Sequence, residues 1–181
     1  MEVLRHDVRE RLWRLDPEGV FRGLHGKTVR KQLGAALRKR PCEKPLTVTF
    51  AVGGAGAQVG IALAALSSLA HKIRKGKAVL NLVAGVRPEV ADRFRRAVAA
   101  AGLETELGRG VTITCGGTQE AYFTAFNALL RRTDVLWTKP SELTFYAALG
   151  IPLVSAPPLG YHERLNYRWL EQKGAVIPQE D

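Results

Sequence analysis

From Pro45 onward, short runs of apolar, β-branched residues alternate five times with helical stretches. No other feature of the chain restricts its fold so tightly. The apolar runs cover 46–52, 78–84, 111–115, 134–138, 152–156 and 175–177. They read as strands, and their near-continuous hydrophobicity is that of strands covered on both faces. Between them, 57–73, 87–101, 118–131, 141–149 and 161–173 read as helices, with Gly102 and Gly150 as stops. Strictly alternating strands and helices predict an α/β fold, a Rossmann-like doubly wound parallel sheet of about six strands. Ligands of such sheets lie beyond the carboxyl ends of the strands, so the residues just after each strand carry the functional question.

Residues 1–44 have a different character. Leu4, Val8, Leu12 and Leu15 recur at helical spacing with Arg5, Arg9, Arg11 and Arg14 between them. Asp16-Pro17-Glu18-Gly19 reads as a break, and 28–40 as a second helix with Val29, Leu33, Ala36 and Leu37 on one face. This segment holds 12 Lys and Arg against 6 Asp and Glu, whereas 45–181 holds 15 against 11. The expected organisation is a helical basic leader over 1–44 and one nucleotide-binding-type domain over 45–181. The overall charge of +10 favours anionic partners. For the leader, an Arg-rich solvated face stands against contact with an anionic membrane surface or nucleic acid. Nucleic acid is the less expected partner, because no zinc pattern or RNA-recognition motif occurs.

Composition excludes several classes. Two cysteines, Cys42 and Cys115, do not make a disulfide scaffold, and a reducing cytoplasm is the expected setting. No apolar run reaches the ~18 residues of a membrane span, and Met1–Asp7 does not begin a signal peptide. The four histidines, His6, His25, His71 and His162, are scattered and pair with no cysteine, so nucleophilic catalysis has little support. Cys115 reads as a small buried hydrophobe, and Trp137 and Trp169 as core.

Four loops follow strands in informative ways. Gly53-Gly54-Ala55-Gly56 lets backbone approach a phosphate ahead of a helix N-terminus, but lacks the dinucleotide spacing and the P-loop Lys-Ser/Thr. The same glycines also suit a tight turn. Gly116-Gly117-Thr118 reads as a turn with Thr118 as helix cap. In Lys139-Pro140-Ser141-Glu142, Pro140 presets the helical turn, Ser141 suits a diphosphate, and Glu142 suits the two hydroxyls of a ribose. Glu142 equally suits the helix dipole, worth ~0.3–1 kcal/mol. In Gly160-Tyr161-His162-Glu163-Arg164-Leu165-Asn166, the spacing puts His162, Glu163 and Asn166 on neighbouring faces of a helix start, suited to sugar hydroxyls.

Taken in order, the glycine loop, the Lys-Pro-Ser-Glu turn and Pro-Leu-Gly-Tyr-His-Glu-Arg-Leu-Asn resemble the C-terminal, donor-binding half of GT-B glycosyltransferases. The resemblance covers roughly 45–178 and is nearest to the monogalactosyldiacylglycerol synthases and the peptidoglycan N-acetylglucosaminyltransferases. It implies an inverting, metal-independent hexosyltransferase whose substrate is a UDP-sugar, with no further cofactor. By position, Gly53, Gly54 and Gly56 would approach the diphosphate or the acceptor side, and Ser141 the diphosphate. Glu142 would bind ribose. Gly160, His162, Glu163 and Asn166 would lie near the sugar, and Gly116 and Thr118 near the base. Lys139-Pro140 departs from the small residues of some relatives, with Lys139 adding a cation. No metal-binding residues are implied, and no Asp-x-Asp motif occurs. Such enzymes carry a second Rossmann-like domain holding the acceptor and the catalytic base. The expectation is therefore a fragment, or a chain completed by a partner subunit. The competing expectations are a sugar-nucleotide epimerase-like domain and a non-enzymatic nucleotide-, lipid- or nucleic-acid-binding module.

Overall fold

The computed structural model describes residues 2–34, 44–52, 58–140 and 143–179. Two N-terminal helices, α1 (Glu2–Leu15) and α2 (Val20–Leu33), precede the alternating region. There follow β1 (Leu46–Ala51), α3 (Val59–Arg74), β2 (Ala78–Val83), α4 (Pro88–Ala100), β3 (Val111–Thr114), α5 (Gln119–Leu130), β4 (Val135–Thr138), α6 (Leu143–Ala148), β5 (Leu153–Ser155), α7 (Tyr161–Gln172) and β6 (Val176–Pro178). A single 3-10 turn, Glu104–Glu106, links α4 to β3. The six strands form one parallel sheet in the order β3-β2-β1-β4-β5-β6. This is the doubly wound α/β arrangement expected from the alternation.

Alternate strand residues feed two cores. On one face α3 and α4 bury Ala62, Leu66, Ile73, Phe94 and Val98 against Phe50, Leu80, Leu82 and Val111. On the other face α5 and α7 bury Phe126, Leu129, Leu130 and Leu170 against Ala51, Val83, Leu136 and Leu153, with Tyr146 and Ala147 of α6 packed alongside. Beyond α3 the first face opens into an apolar groove of about 610 Å³, lined by Ala64, Ser68, Val135, Trp137 and Val154. Trp137 is accordingly half-buried rather than enclosed, and its indole N–H donates to Gln179 at 3.0 Å.

A buried polar thread crosses the second face. Thr133 Oγ1 donates to Leu129 O, so the Thr49 hydroxyl donates to Thr133 (2.7 Å) and Asn81 Nδ2 donates to Thr49 (3.0 Å). Each group is satisfied, which is the condition for polar atoms in an apolar layer.

The N-terminal helices depart from expectation. α2 starts eight residues before 28 and stops at Gly34, whose φ of 85° closes the helix. The residues 35–40 of the expected helix lie outside the described residues. The start at Val20 is set by Asp16, whose carboxylate accepts from Phe21 N (3.1 Å) and Arg22 N (3.0 Å). The acid read as part of a break is therefore a cap for the following helix. Arg22 returns to Asp16 Oδ2 at 3.0 Å and lies 3.7 Å from the Trp13 ring centroid, joining α1 to α2.

Nor are all the leader arginines solvated. Arg11 is 3% exposed. It donates to the carbonyls of Leu130, Thr133, Leu149 and Gly150, the carbonyls that end α5 and α6. Arg14 meets Asp134 at 2.6 Å, and Asp134 also accepts from Thr47 N at 2.9 Å. Arg131 pairs with Asp7 at 3.1 Å, and Arg9 bonds Leu33 O. α1 is thus fastened to the amino-terminal edge of the sheet, opposite the edge where ligands of this fold bind.

On the last helix, Trp169 is exposed, not core. It falls on the outer line with Tyr161 and Leu165, four residues apart each, while Leu170 is the residue turned inward.

Candidate functional site

β1 is the switch point of the sheet, with α3 leaving toward β2 on one face and β4 pairing on its other side. The crevice beyond the carboxyl ends of β1 and β4 is the expected ligand position. Gly53, Gly54, Gly56, Ser141 and Glu142 lie outside the described residues. The remaining expected residues separate into two clusters.

The first cluster joins the ends of β1, β4 and β5. Thr138 Oγ1 donates to Ala51 O at 3.1 Å, and Ala156 N donates to Thr138 O at 3.0 Å. Directly after Thr138, the Lys139 ammonium meets Glu163 Oε1 at 2.8 Å. Glu163 Oε2 accepts from Leu159 N at 2.8 Å. One helical turn on, Asn166 Nδ2 donates to Pro140 O at 3.3 Å. The first two turns of α7 therefore reach back to two successive residues of the β4–α6 turn. The spacing of three between Glu163 and Asn166 makes this possible. Gly160 is the N-cap of α7, in extended conformation, and the exposed His162 ring lies beside its Cα.

Glu163 is 3% exposed. Burial works against its charged form, but the Lys139 ammonium and the N–H groups of Leu159 and Gly160 outweigh burial and hold the carboxyl below its ordinary range. The Lys139 side chain keeps 22% of its surface, and its ammonium has three N–H donors, one of which goes to Glu163.

Gln58 completes this cluster, and the sequence reading missed it. It has φ of 72°, the one described non-glycine residue with positive φ. Its Nε2 donates to Pro157 O at 3.2 Å, linking the start of α3 to the β5–α7 loop. Its Oε1 is buried with no partner among the described residues. The signal available in the sequence was its place as the last polar residue between the glycines and the helix.

The second cluster joins the ends of β2 and β3, where Gly116 N donates to Gly85 O at 2.8 Å. A Cβ at Gly116 would stand 2.6 Å from Tyr122 N, so the glycine there admits the first turn of α5. Thr118 caps the same helix, its hydroxyl accepting from Ala121 N at 3.2 Å. Both residues thus have local structural reasons. β3 and β4 are separated by β2 and β1, roughly 14 Å at about 4.8 Å per strand. Only an extended ligand spans both clusters. Cys115 is half-buried beside them.

Among the described residues no cluster of three or more His, Cys, Asp or Glu is assembled that could hold a metal ion. No helix of the described residues is long and apolar enough to cross a membrane. No protein-family model matches the chain, and no curated protein matches it either.

Proposed function

We propose that this chain binds the nucleotide-sugar donor of an inverting glycosyltransferase, with UDP-sugar as substrate. The observation that carries the reading is the convergence of the segments after β1, β4 and β5 at the switch point, through Gln58–Pro157, Lys139–Glu163 and Asn166–Pro140. Lys139, paired with Glu163, supplies ammonium N–H donors at that edge, and the amino-terminal end of the 12-residue α7 supplies oriented N–H groups. Both act on the same charge. As the sugar C1–oxygen bond to the diphosphate breaks and the acceptor oxygen bonds to C1 from the opposite side, negative charge grows on the departing diphosphate. Fixed donors stabilise that charge without reorganisation. The acceptor's proton passes to a base that this reading places outside the chain, on the acceptor-binding half. Glu142, in this reading, holds the ribose. Glu142→Ala is expected to weaken UDP binding about tenfold, the loss of one or two hydrogen bonds to a charged group. Unchanged affinity in a calorimetric titration would remove the ribose role.

A second element concerns α2. Val20, Phe21 and Leu24 are exposed at its start. Its exposed cations are Lys27, Arg30 and Lys31, since Arg22 is held by Asp16 and Trp13, and it has no acidic residue. This combination suits an anionic lipid surface, with apolar side chains in the interface and cations at the headgroups. Peripheral attachment on the cytoplasmic side of a membrane follows as part of the proposal. Vesicles containing an anionic lipid should sediment the chain at low salt, and Leu24→Glu should reduce it. Equal sedimentation with neutral vesicles, or none at all, would count against the contact.

A further inference from the structure

The sequence places Glu163 among residues suited to sugar hydroxyls, yet its carboxylate is already engaged on both oxygens. Oε1 accepts from Lys139 and Oε2 from Leu159 N, with Gly160 N–H also directed to it. A carboxylate that is 3% exposed and holds these partners has little left to offer a sugar. What it does instead follows from what it holds. Lys139 is a long, rotamer-rich side chain, and an unpaired ammonium would sweep a wide volume at the sheet edge. Leu159 and Gly160 belong to the loop that leads into α7, and their N–H groups would otherwise seek solvent.

We propose that Glu163 is a positioning residue. It aims the Lys139 ammonium at the diphosphate of the bound nucleotide and pins the Leu159–Gly160 loop at the mouth of the crevice. This rests on the donor-binding reading above. The charge arithmetic fits the role. The pair is neutral in the free protein, so neither charge lies buried and unpaired when the crevice is empty. On binding, the remaining ammonium donors face the ligand while Glu163 keeps its hold on the same nitrogen. Asn166 steadies the arrangement from one turn further along α7 by holding the carbonyl of Pro140, next in chain to Lys139.

The test uses the full chain and three probes: UDP, uridine and inorganic pyrophosphate. Its variants are Glu163→Gln, Lys139→Met and the double variant. The wild type should bind UDP well above uridine. Each single variant should lose about tenfold in affinity for UDP and for pyrophosphate while uridine affinity stays unchanged. The double variant should lose no more than Lys139→Met alone, since the two act as one unit. A Glu163→Gln variant that binds UDP and pyrophosphate as well as wild type, or more tightly because a carboxylate beside the ammonium is gone, overturns the proposal. Hydrogen exchange in the unliganded proteins reads the pinning separately. The amides of 159 and 160 should exchange faster in Glu163→Gln than in wild type, and identical exchange overturns the pinning. A wild type that binds neither UDP nor pyrophosphate overturns the donor reading and the aim of Lys139 together, and exchange still decides the loop. Should Glu163→Gln not fold, Glu163→Asp takes its place: the shorter carboxylate should lose its hold on Lys139 and with it affinity for UDP and pyrophosphate, and wild-type affinity for both overturns the proposal.

Discussion

Asp16 sits where burial and hydrogen bonding oppose each other. Burial raises its carboxyl, but the N–H groups of Arg22 and Phe21 and the Arg22 guanidinium lower it further, and the net direction is downward. Glu163 behaves alike. For carboxyls held below their ordinary values of 3.8 and 4.5, the unfolded chain takes up protons first as pH falls. Their contribution to stability is therefore complete above those values and is lost as pH drops through the lower folded-state values. Asp134 runs the other way, since burial raises it more than Thr47 N–H and Arg14 lower it. Urea midpoints measured between pH 6 and 3 should fall for the wild type. Asp16→Asn should start lower and fall less steeply. A variant with the wild-type slope would show that the Asp16 cap carries no acid sensitivity.

Among the elements, α1 is held chiefly through Arg11. Its guanidinium fork is matched to four carbonyls at the ends of α5 and α6, and its burial lowers its proton affinity without removing its charge. Arg11→Met should destabilise the chain by ~2–4 kcal/mol, because buried carbonyls lose their donors together. Chemical denaturation measures this, and a loss under about 1 kcal/mol would mean that water replaces the guanidinium. The sheet and its helices were legible because period and punctuation agree: apolar runs such as 46–52 and 78–84 alternate with helices closed by Gly102 and Gly150. The start of α2 was not legible, because Gly23 and Gly26 mask a helix that an acid four residues upstream caps. Arg11 was not legible either. Nothing local distinguishes it from Arg5, and only the return of residues 130–150 beside α1 makes it a core residue. Trp169 failed for the related reason that helical period gives a face but not which face is covered. At the site, the spacing of Glu163 and Asn166 was readable as a shared face. What that face meets was not, since Lys139 and Pro140 arrive from another strand.

At the scale of the whole molecule, the two edges of the sheet do different work. The amino-terminal edge is tied to α1 through ion pairs and carbonyl contacts. The carboxyl-terminal edge carries the switch point, the Lys139–Glu163 pair and the buried Gln58 Oε1, which has no partner among the described residues. The proposed donor-binding role requires that a uridine diphosphate bind at that second edge. The measurement that tests it most directly is a calorimetric titration of the full chain with UDP, run beside ADP and NAD. UDP is expected to bind at millimolar affinity or better and to lose affinity in Lys139→Met, with ADP and NAD reading how far the base matters. Binding of no nucleotide, or UDP binding indifferent to Lys139, would contradict that role.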